Sequence, residues 1–110
     1  MADWVQALAL WQQVKAAIDT KGEDLSARSN PLLILHPDVN LVLVELPRGK
    51  VASVSFDRTA RTIKTSFELY TARLVNLGSP LDGDVQYTSE AGVVVRPTEI
   101  AETFLRKALE

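Results

Sequence analysis

The chain contains no cysteine, which excludes a disulfide framework, a thiolate nucleophile and any sulfur-ligated metal or iron–sulfur centre. It has a single histidine, His36, so two-histidine metal sets and their relatives are ruled out. The signatures G-x-S-x-G, H-E-x-x-H, G-x-G-x-x-G and the Walker lysine motif are all missing, which removes the common routes to serine hydrolysis, zinc proteolysis and nucleotide binding. No run approaches the roughly 20 apolar residues that a membrane span requires. Asp3 and the lack of a basic stretch ahead of a long apolar run do not read as a secretory signal. Together these absences point to a cytoplasmic protein without cofactor, metal or membrane partner.

What remains is the composition of an ordinary globular domain, with 110 residues, 46% hydrophobic and 24% charged. That length suits one domain, residues 1–110, with a core that needs no staple.

After Asp3, a plausible N-cap, Trp4, Ala7, Leu8, Trp11, Val14 and Ile18 recur at steps of three or four, the spacing of one helical face. Gly22 is the natural stop, and the polar stretch from Glu23 to Pro31 reads as a loop. Two apolar runs, Leu32–Leu35 and Leu41–Leu46, then flank Pro37-Asp38, which suits the centre of a type I turn. In residues 51–57 the alternation sets Ala52, Val54 and Phe56 against Val51, Ser53 and Ser55. Residues 62–70 read as a further strand with Ile63, Phe67 and Leu69 on its dry face and Lys64, Ser66, Glu68 and Tyr70 on its wet one. Arg73–Leu77 continues or restarts the sheet, and Gly92 suits the loop of a last hairpin. Residues 97–110 form a helix with Thr98 as N-cap and a stripe of Ile100, Ala101, Phe104, Leu105, Ala108 and Leu109.

The pattern specifies an α+β domain: an antiparallel meander of about four to six strands with N-terminal and C-terminal helices packed on one face. Its expected core holds Trp11, Val54, Phe56, Phe67, Phe104 and Leu105. One strand departs from simple amphipathicity. Leu41 and Leu43 point one way and Val42, Val44 and Leu46 the other, so it needs cover on both faces, from a curved sheet or a second copy of the chain.

Candidate chemistry is sparse. His36 could pair with Asp38 as a general base, but its place in a turn reads more simply as surface. Asp82-Gly83-Asp84 could offer oxygen ligands to a cation, yet it lacks the rest of an EF-hand loop and is a common turn sequence. Trp4 and Trp11 read as core anchors. Tyr70 and Tyr87 alternate with polar groups and are expected to be partly exposed.

Charge is distributed unevenly. Residues 48–73 carry Arg48, Lys50, Arg58, Arg61, Lys64 and Arg73 against Asp57 and Glu68, in a chain whose net charge is −2. Arg58, Arg61 and Lys64, with Tyr70 beside them, form the candidate binding residues. An acidic protein partner, or the acidic surface of a second copy, fits that local excess. Nucleic acid is the weaker alternative, since no RNP, KH or helix-turn-helix signature accompanies it. The expected function is a non-catalytic, self-associating interaction domain. The rival is a small-ligand protein or enzyme with a pocket between the sheet and the C-terminal helix. The order helix, meander, helix occurs in unrelated small proteins and by itself transfers no function.

Overall fold

Two helices bracket a seven-stranded sheet in the computed structural model, which describes residues 2–28, 32–76 and 83–110. Helix α1 spans Ala2–Arg28 and is followed by β1 (Leu33–Asp38), β2 (Leu41–Glu45), a 3-10 turn (Pro47–Gly49), β3 (Val51–Asp57), β4 (Thr62–Thr65), β5 (Leu69–Asn76), β6 (Gly83–Thr88), β7 (Val94–Val95) and α2 (Pro97–Leu109). Each strand pairs antiparallel with the next, in spatial order β1 to β7. The α+β meander therefore forms, with more strands than the four to six expected. Among the described residues no helix is long and apolar enough to cross a membrane.

The core lies between the helices and one sheet face. Ala7, Trp11, Val14 and Ile18 of α1 and Ile100, Ala101, Phe104, Leu105 and Ala108 of α2 are buried against Val42, Val44, Ala52, Val54, Phe56, Ile63, Val85 and Tyr87. Each fully buried aliphatic or aromatic side chain contributes about 1.5–3 kcal/mol relative to exposure. Trp11 stacks on Phe56 with ring centroids 5.8 Å apart and planes 15° from parallel.

Polar contacts fix α1 along the sheet. The Tyr87 hydroxyl donates to Ala7 O at 3.0 Å, and Val85 N donates to Gln6 Oε1 at 3.1 Å, which ties the helix to β6. Further along, Trp11 Nε1 and Lys15 Nζ both donate to Val39 O, at 3.1 and 2.9 Å, and hold the β1–β2 turn.

Helix α1 also runs further than its sequence suggests. It does not stop at Gly22 but continues to Arg28, so residues 23–28 are helix rather than loop. Gly22 serves a close approach instead: a Cβ there would lie 2.2 Å from Ile34 Cδ1 of β1. Asp3 falls inside the helix rather than before it. In α2 the expected cap is likewise displaced. Pro97 begins the helix, and Glu99 Oε1 accepts from Arg96 N at 3.1 Å, so Arg96 and not Thr98 is the N-cap.

Two turns fall elsewhere than expected. The β1–β2 turn is at Val39-Asn40, and Asp38 pairs with Leu41 across it. Pro37 sits within β1, an edge strand where a missing N–H is tolerated, at a shift in register between Leu35 and Asp38. Residues 62–70 are two strands. The Thr65 hydroxyl accepts from Phe67 N at 3.0 Å and Glu68 N at 2.8 Å, while Thr65 N donates to Glu68 O at 2.8 Å, closing a tight turn. This slips the alternation: Ile63, Thr65 and Tyr70 face inward, whereas Phe67 is 38% exposed and only flanks the core, its ring 6.1 Å from that of Phe104. Gly92 takes the positive φ of 84° foreseen for its hairpin loop.

Candidate functional site

The inner face of the sheet is spent on the helices, so the outer face and the helix flanks carry what the protein can present. Register places Leu35 opposite Leu43, Leu33 opposite Glu45, and Glu45 opposite Val51 on that outer face. Leu33, Leu35, Leu41, Leu43 and Val51 make an apolar stripe across β1, β2 and β3, with the Glu45 carboxylate set between Leu33 and Val51. Leu33 and Val51 are each 53% exposed, and Leu35, Leu41 and Leu43 are half-buried. Further along the sheet the face turns polar, through Ser53 and Ser55 to Lys64, which pairs with Ser55. The two-faced character of β2 is thus real: Val42 and Val44 are buried under the helices, and Leu41 and Leu43 lie outside them.

The basic residues gather on the β3–β4 hairpin. The Asp57 carboxylate accepts from Thr59 N at 2.9 Å and Ala60 N at 3.0 Å and shapes the turn. Arg61 closes it at a φ of 54°, a left-handed conformation that non-glycine residues seldom adopt. Arg58, Arg61 and Lys64 are all exposed there. Tyr70 does not join them, and its expected exposure is corrected to 2%. The slip at Thr65 turned it inward, where its hydroxyl donates to Glu68 Oε2 at 2.8 Å. Tyr87, also expected at the surface, is buried.

Glu68 accepts from Lys107 of α2 as well as from Tyr70. The Lys107 ammonium, then the Tyr70 hydroxyl, hold its carboxyl below the usual range. Burial, reinforced by Glu68, pushes the Tyr70 hydroxyl well above its ordinary value. With Phe67 against Phe104, this cluster fastens the β4–β5 turn onto α2. Its members satisfy one another, and it has the form of a structural clasp.

His36 pairs with Asp19 of α1 rather than with Asp38, Nε2 to Oδ1 at 2.9 Å. The pair borders a concavity of about 510 Å³ beside β1 that Ser26 also lines. Ser26 is committed elsewhere: its hydroxyl donates to Leu32 O at 3.3 Å and accepts from Leu32 N at 3.1 Å. A second concavity, about 410 Å³, lies between the two helices, floored by Leu25, Leu105 and Leu109 and edged by the Lys21–Glu102 ion pair at 2.7 Å. It opens between α1 and α2 rather than between α2 and the sheet. Among the described residues no group of three or more His, Cys, Asp or Glu is placed to hold a metal ion. Asp82 lies outside the described residues, as does the side chain of Asp84.

Sequence reasoning missed the Asp19–His36 and Glu68–Lys107 pairs, whose members are far apart in the chain and carry no local signal. Compared with known proteins, the chain matches no family model, no curated protein and no solved structure.

Proposed function

We propose that the protein is a non-catalytic interaction domain that self-associates, a second copy docking on the β1–β3 side of its sheet. The observation that supports this is the stripe of Leu33, Leu35, Leu41, Leu43 and Val51, which neither helix covers. Apolar surface beside polar surroundings is what protein–protein contacts use. The stripe lies on the face of the sheet opposite the helices, whereas His36 turns to Asp19 of α1, which favours docking over chemistry.

Light scattering across a micromolar dilution series tests the proposal. The unmodified chain is expected to show twice the monomer mass. Leu35→Glu, which puts a charge where the stripe reaches the β1 edge, is expected to give the monomer mass with an unchanged far-ultraviolet circular dichroism spectrum. A monomer mass for the unmodified chain at every concentration would overturn it.

A second reading rests on the β3–β4 hairpin, where Arg58, Arg61 and Lys64 are exposed in an otherwise acidic chain. Their chemistry fits an acidic protein surface, and the contact would weaken with salt.

A further inference from the structure

The meander has two ends, and they are built differently. β7 is only two residues long and leads directly into α2, which is one way proteins blunt an exposed strand. β1 is six residues long, pairs with β2 on one side and contains neither Lys nor Arg. Pro37 and the register shift guard only its C-terminal part. At its N-terminal end, Ser26 satisfies both backbone groups of Leu32, and from Leu33, where the apolar stripe also reaches the edge, no second strand among the described residues pairs with β1.

We propose that β1 pairs antiparallel with β1 of a second copy across a two-fold axis, joining the two seven-stranded sheets into one. This rests on the self-association reading and specifies its surface. Identical strands related by a two-fold axis normal to the sheet meet antiparallel, with the same patch used on both sides, which continues the pairing sense of every other strand in the meander. On the outer face the contact sets Leu33 and Leu35 beside the same residues of the other chain, as stabilising cross-strand apolar pairs. A stripe that ends at an edge in one chain becomes the centre of a wider face.

Charge on the flank of α1 is self-complementary under the same operation. Lys15 sits at the Val39 end of β1, and Glu23 lines the concavity at its Leu32 end. The two-fold brings Lys15 of each copy toward Glu23 of the other, and the concavity beside β1 comes to lie within the contact.

The absence of native cysteine makes the test direct. Leu33→Cys and Leu35→Cys are made singly, oxidised mildly each alone and as an equimolar mixture, and run on non-reducing gels beside Ser53→Cys on β3. Opposite residues of antiparallel strands have Cα atoms about 4.5–5.5 Å apart, within the span of a disulfide. The expected result is a species of doubled mass in at least one β1 sample and none for Ser53→Cys. If light scattering shows a dimer but only Ser53→Cys cross-links, the sheets pack face to face, and the edge pairing is overturned while self-association stands. If it shows a dimer and none of the samples cross-links, the edge pairing is likewise overturned. A monomer at all concentrations overturns both.

Discussion

The two faces of this sheet are drawn from the same strands, residue by residue in alternation, yet they are held in opposite ways. On the inner face Val42, Val44, Val54 and Ile63 are wholly buried beneath two helices. On the outer face Leu33 and Val51 remain half exposed, with neither helix over them. The inner set is explained by folding alone, since it closes the core that α1 and α2 need. The outer set adds nothing to that core, and a fold of this kind needs polar residues there. Apolar side chains kept where stability does not ask for them are what the proposal of an interacting outer face rests on.

The largest break in that comparison comes from the inner face. Trp11→Ala removes the stack on Phe56 and the hydrogen bond to Val39 O together. It is expected to cost about 3–5 kcal/mol, as for other buried aromatics, measured by urea denaturation. A loss below about 1 kcal/mol would mean that α1 is not packed on the sheet as described.

A sharper comparison uses one strand and one chemical change. Val54→Ala empties a wholly buried site of β3, whereas Val51→Ala trims a half-exposed one three residues away. The first is expected to cost about 2 kcal/mol. The second should stay within about 0.5 kcal/mol. Equal costs would show that the outer face is already covered within the single chain.

Much of this division was legible in the sequence. The three- and four-residue steps of α1 from Ala7 onward, those of α2 and the alternation of β3 each named their buried side correctly, because one period runs unbroken through them; the Trp4 side chain lies outside the described residues. The errors share a cause, which is a tertiary or local contact that periodicity does not register. Gly22 looked like a stop because its closeness to Ile34 is visible only after folding. Residues 62–70 looked like one strand because Lys64, Ser66 and Glu68 fit the polar half of the alternation, while residues 65–68 in fact make a turn, and Phe67 and Tyr70 exchanged faces as a result. Pro37 looked like a turn former and is an edge residue. The apolar outer face was half legible. Leu41 and Leu43 declared a second apolar side to β2, but the pairing of Leu43 with Leu35 depends on a register that only the assembled sheet supplies.

The Glu68 clasp tests the border between the sheet and α2 through pH. Its folded-state value is lowered, chiefly by Lys107 and then by Tyr70. The clasp therefore adds stability that is present above the ordinary carboxylate range, near pH 4.3, and is lost as pH falls through the lowered folded-state value. Tyr70 is shifted the other way, so its contribution is full below about pH 10 and declines above it. Glu68→Gln should lower the melting temperature at pH 7, and the gap from the unmodified protein should narrow as the pH is taken toward 3. A gap that stayed constant with pH would show that the ionised carboxylate is not what holds the turn.

The smallest effect on stability is expected where the outer face meets the basic hairpin. Changing Arg58, Arg61 and Lys64 together to Glu alters three exposed side chains, and exposed ion pairs rarely contribute more than about 1 kcal/mol each. The hairpin itself is held by the Asp57 carboxylate through Thr59 N and Ala60 N, which the substitutions leave in place. Arg61→Glu also keeps a side chain at the left-handed position, so the local backbone cost of about 1–2 kcal/mol is the same in both proteins. Folding should therefore change little. Binding is a separate matter: if the hairpin engages an acidic surface, binding to polyglutamate should be strong at low salt, weak at high salt and absent in the triple variant. Arg61→Gly provides the control, since it relieves the strained φ and removes one charge, and it should bind less tightly than the unmodified chain but more tightly than the triple variant. Self-association measured alongside completes the comparison. If it depends on Leu35 and is indifferent to the hairpin charges, the stripe and the hairpin are independent surfaces. If the triple variant also dissociates the dimer, the acidic surface that the hairpin meets belongs to a second copy.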